Sequence, residues 1–193
     1  SPPVVAPLTW TAGSGVAGAA EGSLAVATFE SPVGCAIDTI STDIFVSVAT
    51  AVGLIRRVTY DGRVNIFVGS ASGYANAIRH SAGTTYPRDF TITPSGEFYF
   101  TESHGNKIRK CTAGGSVTLV AGQAVAAPAD GYVLAVASAA RFANPIGIAL
   151  LGAILTVADE QNRVIRYVNP ADGDATVVRA GTGASGHDDG PAG

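Results

Sequence analysis

The segment Phe142 to Leu150 reads FANPIGIAL, and Phe29 to Ile37 reads FESPVGCAI. Both run aromatic, two variable residues, proline, aliphatic, glycine. If the offset between them spans two periods, a third copy falls midway, and TTYPRDFTI begins at Thr84 with Pro87 in register. A period of about 56 residues leaves room for one supersecondary unit per repeat, so the chain is a repetitive body rather than a mixture of independent elements.

Further anchors sit at the same spacing. LIRRV, KIRKC and VIRYV place Ile55, Ile108 and Ile165 in register, each followed by Arg56, Arg109 or Arg166. IFVG, LVAG and VRAG close on Gly69, Gly122 and Gly181, and TWTAG closes on Gly13 as an earlier partial copy. Between anchors lie four short runs of alternating or wholly apolar residues, broken by turn residues. In the second copy they cover about 89–93, 97–101, 107–112 and 116–121, with turns at PSG, SHGN and AGG. In the third they cover about 146–151, 154–158, 164–168 and 175–179. Four antiparallel strands per repeat make one propeller blade. The expected fold is all-β: a partial β-propeller of three blades (14–69, 70–122 and 123–181), preceded by a leftover outer strand within 1–13 and followed by the start of another loop, 182–193.

Composition agrees. Charged residues make up 14% of the 193, against 24 glycines and 10 prolines, which suits many short strands joined by turns. A formal charge of −3 gives no basic excess for a nucleic-acid backbone. No apolar run reaches the roughly 18 to 20 residues of a membrane helix. With no methionine and an ending, GHDDGPAG, that resembles the opening of another repeat, the chain reads as a segment of a longer protein.

The units resemble NHL repeats, a propeller family that combines an aromatic-x-x-Pro-x-Gly start, an acid after the second strand and an Asn-x-x-Ile-Arg third strand. Phe142, Pro145, Gly147, Asp159, Asn162, Ile165 and Arg166 match in the third copy. The second keeps Pro87, Glu102, Ile108 and Arg109 but has Asp89 for the glycine and Gly105 for the asparagine. The first keeps Phe29, Pro32, Gly34, Ile55 and Arg56, with Ala49 and Val52 where acid and asparagine would stand. The resemblance implies the fold and is weak for activity, because a scaffold does not dictate its site.

Most candidate chemistry reduces to structure. Pro32, Pro87 and Pro145 suit the first residue of an innermost strand, where a missing N–H is tolerated. Arg56, Arg109 and Arg166 recur once per blade, which favours internal pairing, with Glu102 and Asp159 as acids and no acid for Arg56. Cys35 and Cys111 occupy slots that other copies fill with apolar residues, so both are expected as buried free thiols, too far apart for a disulfide. His80, His104 and His187 fall in separate loops without metal-ligand spacing, and HDD at 187–189 is expected to be a turn, since Asp189-Gly190 repeats Asp130-Gly131 and Glu21-Gly22. There is no GxSxG elbow and no phosphate loop. No catalytic residue, metal or cofactor is expected.

Long connections from fourth strand to next first strand share a face with the second-to-third loops, and such loops are where propellers meet partners. The candidate binding residues are therefore Glu102, Ser103, His104, Asn106, Asp159, Glu160, Gln161 and Asn162. Counting Glu21, Glu102, Asp130, Asp159, Glu160, Asp188 and Asp189 against Arg79, Arg88, Arg141 and Arg163 gives an acidic face, which favours a protein or a glycan over nucleic acid. The function expected is a non-catalytic interaction or structural scaffold within a larger protein, extracellular or at the cell surface. The alternative is a propeller enzyme of lyase or hydrolase type, with a metal or polar site on the axis. Leu8 and Trp10 are expected in the outer strand of a preceding blade, and the open faces of the first and third blades against further repeats or another copy of the chain. No membrane insertion is expected.

Overall fold

The computed structural model describes residues 11–70, 74–125, 130–172 and 174–186. Leu8, Trp10, His187, Asp188 and Asp189 lie outside the described residues. Those described form three antiparallel sheets, and the helical content is one 3-10 turn at Ala137–Ala139. The first sheet holds β1 (Gly22–Ser23), β2 (Pro32–Ile37), β3 (Ile44–Val48), β4 (Leu54–Val58) and β5 (Arg63–Val68) in the order β2-β3-β4-β5-β1. The second holds β6 (Ala77–Ile78), β7 (Pro87–Ile92), β8 (Phe98–Glu102), β9 (Lys107–Cys111) and β10 (Ser116–Gly122) in the order β7-β8-β9-β10-β6. The third runs β11 (Pro145–Leu151), β12 (Ile154–Asp159), β13 (Val164–Asn169) and β14 (Asp174–Ala180) in simple sequence.

Each sheet is a propeller blade, and three together form an arc. The four repeat-derived strands of the second and third blades are present, with ends moved by one or two residues. One feature departs from four strands per blade. In the first two blades a two-residue piece of the preceding connection, β1 or β6, adds itself to the outer edge and pairs with β5 or β10. Such pieces are too short to carry an alternating pattern.

β7 packs between β2 and β11, so the first strands line the inside of the arc. Each begins with its proline, where the missing donor faces no ladder partner. The residues before these prolines, Ser31, Tyr86 and Asn144, all take left-handed backbone angles, with φ of 48°, 47° and 55°. That region is sparsely populated for a side chain as large as tyrosine, so the surroundings must fix it. They do: the carbonyls of Ser31, Tyr86 and Asn144 accept the amides of Ala49, Ser103 and Glu160, tying each turn to the loop that follows the second strand of its own blade. The Tyr86 amide donates to Thr50 O of the first blade, and the Asn144 amide to Asn106 Oδ1 of the second, so the same turn also fastens neighbouring blades.

The strand-ending glycines have an equally direct cause. Gly69, Gly122 and Gly181 have φ of 101°, 104° and 92°, and a Cβ on them would sit 2.4, 2.6 and 2.3 Å from the carbonyl oxygens of Gly53, Asn106 and Arg163. Only glycine permits that approach at that angle.

Sheet faces pack in series. Phe45, Ile55, Phe67 and Val68 of the first blade meet Phe90, Phe98, Phe100, Cys111 and Val117 of the second. The second blade's opposite face, with Tyr99, Ile108, Val120 and Ala121, meets Phe142, Ile148, Leu155, Val157 and Val168. Every residue of β8 is accordingly buried, whereas β12, covered on one side, alternates. Hydroxyls lock the stacking: Ser47 Oγ donates to Arg88 O at 2.7 Å, and Thr101 Oγ1 to Ile146 O at 3.3 Å, each reaching the next blade's inner strand.

Cys111 is buried as expected, but Cys35 is exposed. It occupies the slot of Phe90 and Ile148, which face the preceding blade, and among the described residues no sheet covers that side of the first blade. The open face also exposes Ile37 and Ile44.

Phe98 lies with its ring centroid 4.6 Å from Phe45 and 4.7 Å from Phe67, so Phe98→Ala opens a cavity at the joint between blades. It is expected to cost about 3–5 kcal/mol in urea denaturation, whereas Ile37→Ala at an exposed site is expected to change stability by less than about 0.5 kcal/mol.

Candidate functional site

The face made by the second-to-third loops and the long connections is organised by the recurring arginine of the third strand. Arg56, Arg109 and Arg166 are all fully buried. Arg56 donates to Thr28 O at 3.0 Å and Ala20 O at 2.8 Å. Arg109 donates to Gly83 O at 3.0 Å and Ala75 O at 2.9 Å, and Arg166 to Arg141 O, Val133 O and Ala175 O at 2.5 to 3.0 Å. Each guanidinium also lies over an aromatic ring of the same connection: Phe29 at 5.2 Å, Tyr74 at 4.8 Å and Phe142 at 4.2 Å. The fork therefore clamps the connection onto its blade at two carbonyls and a ring.

Charge is balanced differently in each blade. Arg166 pairs with Asp159 at 3.2 Å, and the remaining acceptor capacity of Asp159 is filled by the Ala143 amide and Asn162 Nδ2, both at 2.8 Å. Asn162 Nδ2 also reaches Gly131 O at 2.8 Å. Arg109 pairs with Glu102 at 2.9 Å. Arg56, whose acid is replaced by Ala49, is served by carbonyl oxygens, with Glu21 acting electrostatically from further away.

The second blade is the irregular one. Gly105 leaves out the amide that Asn162 supplies in the third, and Glu102 Oε2 is buried without a hydrogen-bond partner in the structure. Asn106, with φ of 46°, works elsewhere: its Nδ2 donates to Asp130 and its Oδ1 accepts the Asn144 amide of the next blade. Lys107, where the third blade has Val164, is buried too, its Nζ donating to Val125 O at 2.7 Å and lying 4.8 Å from the Tyr74 ring centroid. Burial pushes the Glu102 carboxyl up from 4.5 to about 7, against the pull of Arg109 and Lys107, and burial lowers Lys107. No repeat position announces Lys107; its only sequence signal is a lysine in a slot that is aliphatic in both other copies.

Of the eight residues expected on the binding face, His104, Glu160 and Gln161 are exposed and Asn162 is half-buried. Glu102, Ser103, Asn106 and Asp159 are buried and engaged within the protein. The imidazole of His104 stacks on Tyr86 with centroids 3.9 Å apart, a pairing across loops that linear spacing does not reveal. The acids counted along the sequence divide between the interior and the surface. Glu102 and Asp159 are internal ion-pair partners, which leaves Glu21, Asp130 and Glu160 exposed. Among the arginines, Arg141 is held by three carbonyls of its own connection and Arg79 lies over Phe67, leaving Arg88 and Arg163 exposed. Of the charges in that count, three acids and two arginines are exposed among the described residues.

On the inner side of the arc, Val33, Gly34, Arg88, Asp89, Ile146, Gly147 and Ala158 line an open hollow of about 380 Å³. Asp89 is turned into the wall, accepting the Phe90 amide at 2.9 Å and the Ile148 amide of the third blade at 3.1 Å. Among the described residues, no three His, Cys, Asp or Glu side chains converge as a metal site would require.

The fold is shared with known structures. The chain spans a propeller arc. It aligns with an auxiliary nutrient binding protein of Bacteroides thetaiotaomicron over 69% of its own length and 36% of that chain, at TM-score 0.57 and 24% identity. A second such protein, from Bacteroides ovatus, aligns over 69% of this chain and 46% of that one, at TM-score 0.50 and 18% identity. Virginiamycin B lyase from Staphylococcus aureus aligns over 77% and 40%, at TM-score 0.50 and 17% identity. The chain thus spans less than half the length of each, and at these identities the likeness is one of fold. No protein-family model and no curated protein matches the sequence.

The position of Glu102 fixes a pH dependence. The folded state holds its proton to about pH 7, while the unfolded chain releases it near 4.5. The stability it contributes is therefore present below pH 4.5 and lost as the pH rises through 7. Glu102→Gln is expected to flatten this decline in urea midpoints measured from pH 4.5 to 7.5. Burial raises Asp159 as well, so its contribution to the pH dependence has the same sign. An unchanged slope would show that Glu102 does not titrate in this window.

Proposed function

We propose that this chain is part of a non-catalytic, NHL-type β-propeller that serves as a protein-interaction or structural scaffold within a larger protein. The observation that carries the reading is the construction of the loop face. Buried ion pairs and carbonyl clamps hold its connections in place, and it exposes His104, Asp130, Glu160, Gln161 and Arg163, four of them steadied by contacts to Tyr86, Asn106, Asn144 and Gly183. A surface so held loses little conformational freedom on binding. The partner is another protein, with a glycan as the alternative. The uncovered side of the first blade, exposing Cys35, Ile37 and Ile44, corresponds to the side through which the second blade packs on the first. A further blade, from the same polypeptide or from another copy, fits it. An extracellular or cell-surface setting is consistent with structural neighbours that bind nutrients, and no helix among the described residues is long and apolar enough to cross a membrane.

The enzyme alternative draws on the lyase among the structural neighbours. Against it, Asp89, the acid lining the inner hollow, has its carboxylate committed to two backbone amides.

Charge-reversing substitutions test the reading. His104→Glu with Glu160→Arg alters the loop face, and Asp61→Lys with Ser95→Lys alters the opposite one. In quantitative cross-linking of the full protein in its native cell, the first pair is expected to lower partner cross-links at least tenfold and the second to leave them. Equal behaviour of the two variants would contradict a loop-face scaffold.

A further inference from the structure

In a repeat protein, what the fold requires recurs in every unit, and what it does not require shows as a departure. The inner hollow carries two departures side by side. Where the first blade has Val33-Gly34 and the third Ile146-Gly147, the second has Arg88-Asp89. Asp89 has a structural use, accepting an amide from its own strand and one from the third blade. Arg88 has none that the described residues show. It is exposed, and none of them accepts a hydrogen bond or forms an ion pair with its guanidinium. Its backbone, by contrast, is held: the Arg88 carbonyl accepts from Ser47 Oγ at 2.7 Å, and a Cβ on Gly34 would approach that same carbonyl to 2.6 Å. A fixed backbone thus presents an uncommitted fork beside a hollow whose other walls are Val33, Ile146, Ala158 and glycine.

We propose that this hollow binds a small organic carboxylate, with Arg88 as its receptor. A guanidinium receives a carboxylate in a bidentate, charge-assisted pair. Arg88 is the single cation among the lining residues and Asp89 the single acid, so the hollow offers one directional pairing and no surplus positive charge for a more highly charged anion. The aliphatic walls suit an apolar body behind the carboxylate. Asp89 does not compete for Arg88, because its oxygens face the amides of Phe90 and Ile148. This site is separate from the loop-face contacts, so either can fail alone.

The test is an NMR titration of the chain with butyrate, its neutral isostere butyramide, and inorganic phosphate, all at constant ionic strength. Butyrate is expected to give saturable amide shifts at Gly34, Asp89 and Gly147, with butyramide and phosphate at least tenfold weaker. Arg88→Gln is expected to abolish the butyrate response, and Arg88→Lys to weaken it while keeping some affinity, since the charge remains and the fork is lost. Both variants change an exposed side chain, and unaltered amide shifts away from the hollow verify their folding. The proposal is overturned if butyrate gives no saturable response, if Arg88→Gln binds it unchanged, if butyramide matches it, or if phosphate binds more tightly.

Discussion

The structure depends on a guanidinium buried under each long connection. A propeller blade is a small sheet, and its connections of about 20 residues would add backbone polar groups with no ladder to satisfy them. The arginine of the third strand answers that demand from within the blade, donating to carbonyls of the connection and lying against its aromatic ring. Burying a charge is costly, and two blades offset the cost with a carboxylate from the end of the second strand. The first blade, without that acid, relies on two carbonyls and the field of Glu21. Coupling between blades follows from the same loops, since the Asn144 amide bonds to Asn106 and the Tyr86 amide to Thr50.

The repeated features carried most of the fold, because each was imposed by geometry. The strand-ending glycines approach a neighbouring carbonyl, the prolines open strands that have no partner on their inner side, and the arginines clamp connections. What did not recur was not legible. β1 and β6 are too short for periodicity. Cys35 looked like a core residue because its counterparts Phe90 and Ile148 are covered by the preceding blade, while its own face has no described sheet against it. Lys107 and the Tyr86–His104 stack depend on which loops meet in space.

Burial likewise separates the acids that hold the fold from those that face solvent. Glu102 and Asp159 end second strands and are fully buried, so of the described acids counted for the loop face those exposed to a partner are Glu21, Asp130 and Glu160. Arg88 and Asp89 on the inner side and Gly105 and Lys107 beneath the connection are departures of the central blade, beside Ala49 and Val52 in the first. The central blade is covered on both sides, so its departures are framed by walls on either hand, as the hollow beside Arg88 shows.

Hydrogen exchange on Arg109→Lys tests the central claim most directly, because lysine keeps the charge and loses the fork that reaches Gly83 O and Ala75 O. The clamp account predicts that amide protection falls about tenfold or more across residues 75–83, while residues 131–143, held by the intact Arg166, exchange as before. Unchanged protection across 75–83, or an equal loss in both connections, would contradict it.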